Sequence, residues 1–186
     1  MRSFEGFDAN GQPISDDSQQ FRGKSALPTT NWGLSTTLNW KNFDFSAFLA
    51  AQSGFYVYNN TANALFIAGS INNARNVTPN VLTSGEAGNA AAEVSERFLE
   101  KGDFIRLQNA SIGYTVPVRD DSFLSSFRVY LTGQNLFLIT DYSGLDPELS
   151  TSPAQGDLLN GLPTAGIDYT SYPRPRTFTL GLNITF

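Results

Sequence analysis

Neither cysteine nor histidine occurs anywhere in this chain. Without cysteine there is no disulfide framework and no thiolate metal site. Without histidine the commonest general base and the commonest metal ligand are both gone. Charge is sparse as well: 16% of the 186 residues are charged, and the 12 lysines and arginines are scattered. With a net charge of -5 and a pI of about 4.6, a nucleic-acid surface is not expected. No apolar run approaches the ~18 residues of a membrane helix. That absence leaves a membrane barrel open, because barrel strands turn half of their side chains inward. The opening Met1-Arg2-Ser3-Phe4-Glu5-Gly6 lacks the apolar core of a secretory signal. The chain is therefore expected to be a piece of a longer exported polypeptide.

What is present is period-two alternation and rings, 15 of them phenylalanine. In 177–186 the side chains of Phe178, Leu180, Leu182, Ile184 and Phe186 share one face, and Thr177, Thr179, Gly181, Asn183 and Thr185 the other. That is a strand with one apolar face, at about the ten residues a tilted strand needs to cross a bilayer. In 31–40, Trp32, Leu34, Thr36, Leu38 and Trp40 align in the same way. After the Lys41-Asn42 turn, 43–55 continues with Phe43, Phe45, Ala47, Leu49 and Ala51, so the two runs read as a hairpin. In 103–116 the parity slips, with Ile105 and Leu107 on one phase and Ala110, Ile112, Tyr114 and Val116 on the other. A bulge near Gln108-Asn109 would reconcile them. A fourth strand is predicted over 126–139.

Between strands the connections alternate: two residues at 41–42, a long loop over 56–102, a short link at 117–125, and a long loop over 140–175. Short turns on the periplasmic side and long loops outside are what membrane barrels have. Residues 1–30 read as a further extracellular segment. The final strand would then run inward and leave Phe186 at the periplasmic rim. Trp32 to Trp40 and Phe178 to Phe186 each span eight steps. At ~3.3 Å per residue and a tilt of ~40° that is ~20 Å, near the ~25 Å band between aromatic girdles. Within the loops, 89–101 is predicted to be a short helix presenting Glu93, Glu96 and Glu100 to solvent, and 59–67 another helical turn. Five strands cannot close a barrel, so most of one is expected to lie outside this chain.

The ordered blocks Ser95–Asn109, Ile112–Pro117, Val129–Phe137, Thr140–Glu148 and Tyr172–Phe178 resemble the late-barrel signature of SusC/RagA-type TonB-linked outer-membrane proteins. The resemblance covers nearly the whole chain. It departs in the 103–116 parity slip and in a 56–102 loop without tryptophan. It implies a mainly β fold: about five C-terminal antiparallel transmembrane strands of a larger, about 22-strand barrel. It also implies import of glycans or peptides across the bacterial outer membrane with a SusD-like surface lipoprotein. Energy would come from the TonB complex through an N-terminal plug and TonB box. Partners would further include outer-membrane lipid and the barrel assembly machinery, which would read Phe178, Leu180, Leu182, Ile184 and Phe186 as an assembly signal.

Each candidate site has a plainer role beside the functional one. Asp8, Asn10 and Asp16 follow a calcium-loop spacing, but Pro13 stands where the glycine belongs and Gln19 where the bidentate glutamate belongs, so a solvated turn is favoured. The carboxylate pairs Asp120/Asp121 and Asp146/Glu148 are the candidates for acid–base work. The first falls in a predicted periplasmic turn and the second in an Asp-Pro turn, so no enzyme and no cofactor is expected. Tyr56, Tyr58, Tyr142, Tyr169 and Tyr172 are candidates to stack on substrate or meet the lipoprotein, against loop packing or an aromatic belt. Arg106 and Arg128 are expected to face a wet lumen, since a lipid-facing arginine costs ~2–4 kcal/mol. The alternatives are a soluble β-sandwich that binds glycans, and a passive porin or adhesin without TonB coupling.

Overall fold

The computed structural model describes residues 1–16, 18–90, 93–119, 123–148 and 165–186. In chain order the strands are β1 (Gly6–Phe7), β2 (Pro13–Ile14), β3 (Thr30–Trp40), β4 (Phe43–Ser53), β5 (Tyr56–Asn59), β6 (Leu99–Lys101), β7 (Phe104–Val116), β8 (Ser126–Thr140), β9 (Ile167–Asp168) and β10 (Thr177–Thr185), with one α-helix, α1 (Asn60–Leu65). Single 3₁₀ segments lie at Ala68–Asn73, Pro79–Leu82 and Glu96–Phe98. The chain divides into two compact units. The strand unit holds Thr29–Ser53, Asp103–Asp141 and Arg174–Phe186; the loop unit holds Met1–Pro28, Gly54–Gly102 and Tyr142–Pro173.

The strand unit is one antiparallel sheet in the order β10-β8-β7-β4-β3. Register follows from the hydrophobic pattern, because a one-residue slip would send every apolar side chain to the polar face. Trp32, Leu34, Leu38 and Trp40 stand opposite Ala51, Leu49, Phe45 and Phe43, and Leu180, Leu182 and Ile184 stand opposite Leu131, Val129 and Phe127. The parity slip in β7 is resolved by a bulge: Phe48 pairs with Asn109 and Leu49 with Leu107, which leaves Gln108 as the extra residue. Both apolar segments of β7 thereby reach the same face. β8 in turn inserts one residue relative to β7, between Gln134 and Phe137. β4 stops at Ser53 rather than at 55, because Gly54 takes a φ of +79° and turns the chain away.

The apolar face of this sheet is uncovered. Trp32 is 70% exposed, Leu180 72% and Leu182 57%, and Leu34, Leu38, Ile112 and Ile139 are exposed beside them. No second layer of the described residues roofs these side chains, as a soluble sandwich would require. At the turn end of this face the rings of Trp40, Phe43 and Tyr114 form a row, with centroids 6.3 and 4.6 Å apart, and Phe123 meets Phe186 at 5.2 Å. No helix among the described residues is long and apolar enough to cross a membrane.

The opposite face is polar. Arg128 reaches across β7 to Asp44, with Nε–Oδ1 at 2.9 Å and Nη2–Oδ2 at 2.5 Å. Gly113 lies between them, and a Cβ there would meet both the guanidinium and the carboxylate. The Arg128 guanidinium also sits 5.0 Å from the Tyr130 ring, and Thr132 donates to Ser111 at 3.0 Å.

The loop unit differs from the expectation in one place. Among the described residues of 89–101 there is no α-helix: Glu96–Phe98 is a 3₁₀ turn and Leu99–Lys101 is β6, paired with β5, while 91–92 lie outside the described residues. The three glutamates have separate partners, Glu93 with Arg2 and Ser15, Glu96 with Arg22, and Glu100 with Asn59 and Ser143. These long-range bonds outweigh a local helical period. The turn at 59–67 is α1, with Asn59 as N-cap accepting from the Ala62 amide at 2.9 Å.

Candidate binding cavity

Within the loop unit the small sheet β6-β5-β9 sets the geometry, β6 antiparallel and β9 parallel to β5. Val57 stands opposite Glu100 and Asn59 opposite Asp168, so both carboxylates share the face of Val57 and Asn59. Val57 is almost fully buried and anchors that face. The Asn59 side chain does two things, capping α1 through Oδ1 and donating through Nδ2 to Glu100 at 3.2 Å. Glu100 also accepts from the Ser143 amide at 2.7 Å and the Ser143 hydroxyl at 2.8 Å. Asp168, 3% exposed, accepts from the Tyr142 hydroxyl at 2.8 Å.

These groups border a cavity of about 1110 Å³. Its walls combine rings (Phe7, Phe66, Phe98, Tyr172) with hydrogen-bonding side chains (Asn59, Thr61, Glu100, Asp168, Thr170). That mixture and volume suit an oligomeric ligand. Arg97 is the one basic side chain of the wall among the described residues, and its charge is matched. Its guanidinium binds Glu86 bidentately at 2.8 and 2.9 Å and is boxed by the rings of Phe4, Phe7 and Phe98, with centroids 5.5, 4.9 and 4.7 Å away.

The tyrosines singled out from the sequence separate into two groups. Tyr172 lines the cavity and is 87% exposed; Tyr169 is also exposed. Tyr58 and Tyr142 are buried, the loop-packing role set beside the stacking one for these rings. Burial pushes both hydroxyls above their ordinary value, and for Tyr142 the bond to Asp168 adds to the effect. Tyr56 is engaged by Lys24, whose ammonium sits 4.4 Å from the ring centre and bonds its hydroxyl at 3.0 Å.

The calcium-loop spacing resolves into two unrelated contacts. Asp8 accepts from the amides of Asn10 and Gln12 at 2.8 and 2.7 Å, closing the β1–β2 turn as an Asx turn does. The Ser3 hydroxyl, then Arg22, hold the Asp16 carboxyl below its ordinary 3.8. Asp146 likewise orders its own turn, accepting from the Glu148 amide at 3.0 Å. Asp120 and Asp121 lie outside the described residues. Arg106 and Arg128 are on the polar face of the strand unit, Arg106 buried with its guanidinium 5.4 Å from the Phe104 ring. Sequence reasoning missed Glu100 and Asp168 as cavity residues. Glu100 sat in the predicted helix, and no local pattern marks a two-residue strand at 167–168.

No protein-family model matches the chain. Among curated proteins it is 34% identical to TonB-dependent receptor P3 of Formosa agariphila, over 98% of the chain and 19% of that receptor. It is 32% identical to TonB-dependent receptor SusC of Bacteroides thetaiotaomicron, over 96% of the chain and 17% of that protein. Among solved structures, the RagAB peptide importer in its open-open state superposes over the whole chain with a TM-score of 0.74 at 20% identity, using 22% of that chain. Over nearly all its length the chain therefore belongs with the SusC/RagA-type TonB-dependent receptors, and it spans about a fifth of the relatives it matches.

Proposed function

We propose that this chain is a C-terminal barrel portion of a TonB-dependent outer-membrane importer of glycans or peptides. The observation that carries the proposal is the uncovered apolar face shared by the five neighbouring antiparallel strands of the strand unit. Such a face is stable where hydrocarbon is the solvent. The polar face, with Asp44, Arg106 and Arg128, then borders a wet lumen, and the loop unit lies on the extracellular side. Coupling to TonB belongs to parts of the polypeptide outside this chain. A SusD-like lipoprotein is the partner at the cell surface, and the barrel assembly machinery inserts the strands. The relatives' names support a transport role and speak for a non-enzyme.

The test is fractionation and uptake with the full-length protein. It should sediment with outer membranes, resist carbonate extraction, and migrate faster on gels unheated than boiled. Deleting it should abolish uptake of its oligomer. Recovery in the soluble fraction would sink the proposal.

A further inference from the structure

The apolar pattern of β10 leaves its register open in steps of two. A slip of one residue would turn the strand inside out, but a slip of two keeps every side chain on its own face. In the observed register Leu180 and Leu182 stand opposite Leu131 and Val129. Moved by two, they meet Gly133 and Leu131, or Val129 and Phe127, on the same face. No tight turn removes this freedom. Lys41-Asn42 joins β3 to β4, whereas β10 follows β8 only after residues 141–176.

The polar face breaks the degeneracy. There β10 carries Thr177, Thr179, Gly181, Asn183 and Thr185, so a single position lacks a Cβ. Tyr130 stands directly opposite it, and the far end of its ring lies on the glycine backbone. A Cβ at 181 would overlap the ring carbons and the hydroxyl. Gly181 is accordingly the one residue of β10 that is not exposed. The ring is steadied by Arg128, whose guanidinium lies 5.0 Å from its centre and is itself tied to Asp44. In either slipped register Tyr130 would face Thr179 or Asn183, whose Cβ takes the space that the ring occupies.

We propose that the Tyr130 ring seated on Gly181 sets the register of the terminal strand, docking β10 on β8 in one of several positions that the apolar pattern allows. A ring laid across a glycine covers backbone that no side chain of its own protects, and it fits nowhere else along this strand. β10 is an edge of its sheet, so its register passes on to the strand that meets it next. The inference stands on the sheet and not on what the protein imports.

Disulfide cross-linking of the full-length protein in cells tests it. These 186 residues contain no cysteine, and any elsewhere in the polypeptide are replaced. Directly opposite residues sit about 4.5–5.5 Å apart, within disulfide reach, and residues two out of line about 7–8 Å apart, beyond it. Leu131→Cys with Leu180→Cys reports the observed register; Leu131→Cys with Leu182→Cys, or with Phe178→Cys, reports the two slips. Otherwise unchanged protein should cross-link the first pair at least about fivefold more than either slipped pair. Gly181→Val and Tyr130→Ala should each bring a slipped pair to within about twofold of the first, while Tyr130→Phe keeps the original preference. Gly181→Thr with Asn183→Gly moves the seat by two, so the 131/182 pair should then dominate. Faster migration of unheated samples reports folding. If Gly181→Val does not fold, Tyr130→Ala, which adds no bulk, decides.

An unchanged register in Tyr130→Ala and in the moved-glycine variant overturns the proposal. The strand would then be held from its ends, where Asn135 donates to the Pro175 carbonyl and Phe123 meets Phe186. Slippage in Tyr130→Phe as large as in Tyr130→Ala also overturns it. Uptake plays no part in this readout, so a deletion strain with unchanged uptake would remove the importer reading and leave the register intact.

Discussion

At the scale of single residues, the polar face of the strand unit depends on an absence of atoms. Gly113 leaves the space through which Arg128 reaches Asp44. Gly113→Val should push the guanidinium off its carboxylate and cost about 1–3 kcal/mol, as overpacking does. In an Arg128→Ala background the same change should cost less, because the obstructing group is gone. Urea titration of the detergent-folded full-length protein measures both, and equal costs would show that the pair does not use this space. The buried tyrosines make a different prediction. Tyr58 and Tyr142 are raised above the ordinary 10.0 by burial, so their neutral forms are favoured in the folded state. Stability from this source is complete below pH 10 and falls as pH rises above it, where only the unfolded chain ionises. Absorbance at 295 nm should therefore include a late component that appears only with unfolding. Tyr58→Phe and Tyr142→Phe should each shrink it.

At the scale of elements, the two faces of β10 should respond oppositely to the same change. Leu180→Arg puts a guanidinium on the apolar face opposite Leu131, and at the bilayer midplane that costs ~2–4 kcal/mol. Thr179→Arg, one residue earlier, points to the polar face and should be tolerated within ~1 kcal/mol. Comparable losses of folded protein from both would deny the difference between faces. Phe186 closes the same element against Phe123, and removing it should lower the amount of full-length protein in the outer membrane. Unchanged levels on immunoblots of membrane fractions would count against an assembly role. The mainly antiparallel β character was legible because each strand faces two solvents, which writes a period of two directly into sequence. The β7 bulge was legible for the same reason, as a break in that period at Gln108. In the loop unit nothing forces a period. Glu93, Glu96 and Glu100 fall at helical spacing, but their partners are Arg2, Arg22 and Ser143, up to 91 residues away. Contacts at that separation leave no local signature, so the helix was misread and the cavity that Glu100 borders was hidden.

At the scale of the whole molecule, the sheet poses a problem that its own residues do not solve. β3 and β10 are both edges, so a row of backbone donors and acceptors on each has no strand to meet among the described residues. The apolar face between them is as exposed as a protein–protein interface before assembly. In a bilayer both defects vanish together, since lipid covers the face and neighbouring strands take the edges. In water neither does. The 186-residue chain expressed by itself should therefore elute from a sizing column in plain buffer as large aggregates. Detergent should cover the face but leave both edges free, so it should narrow the distribution without giving one species. Only the full-length protein should run as a single detergent-bound peak. A sharp monomer peak for the short chain without detergent would mean that its apolar strand face has found cover in water, and the membrane reading would fall with it.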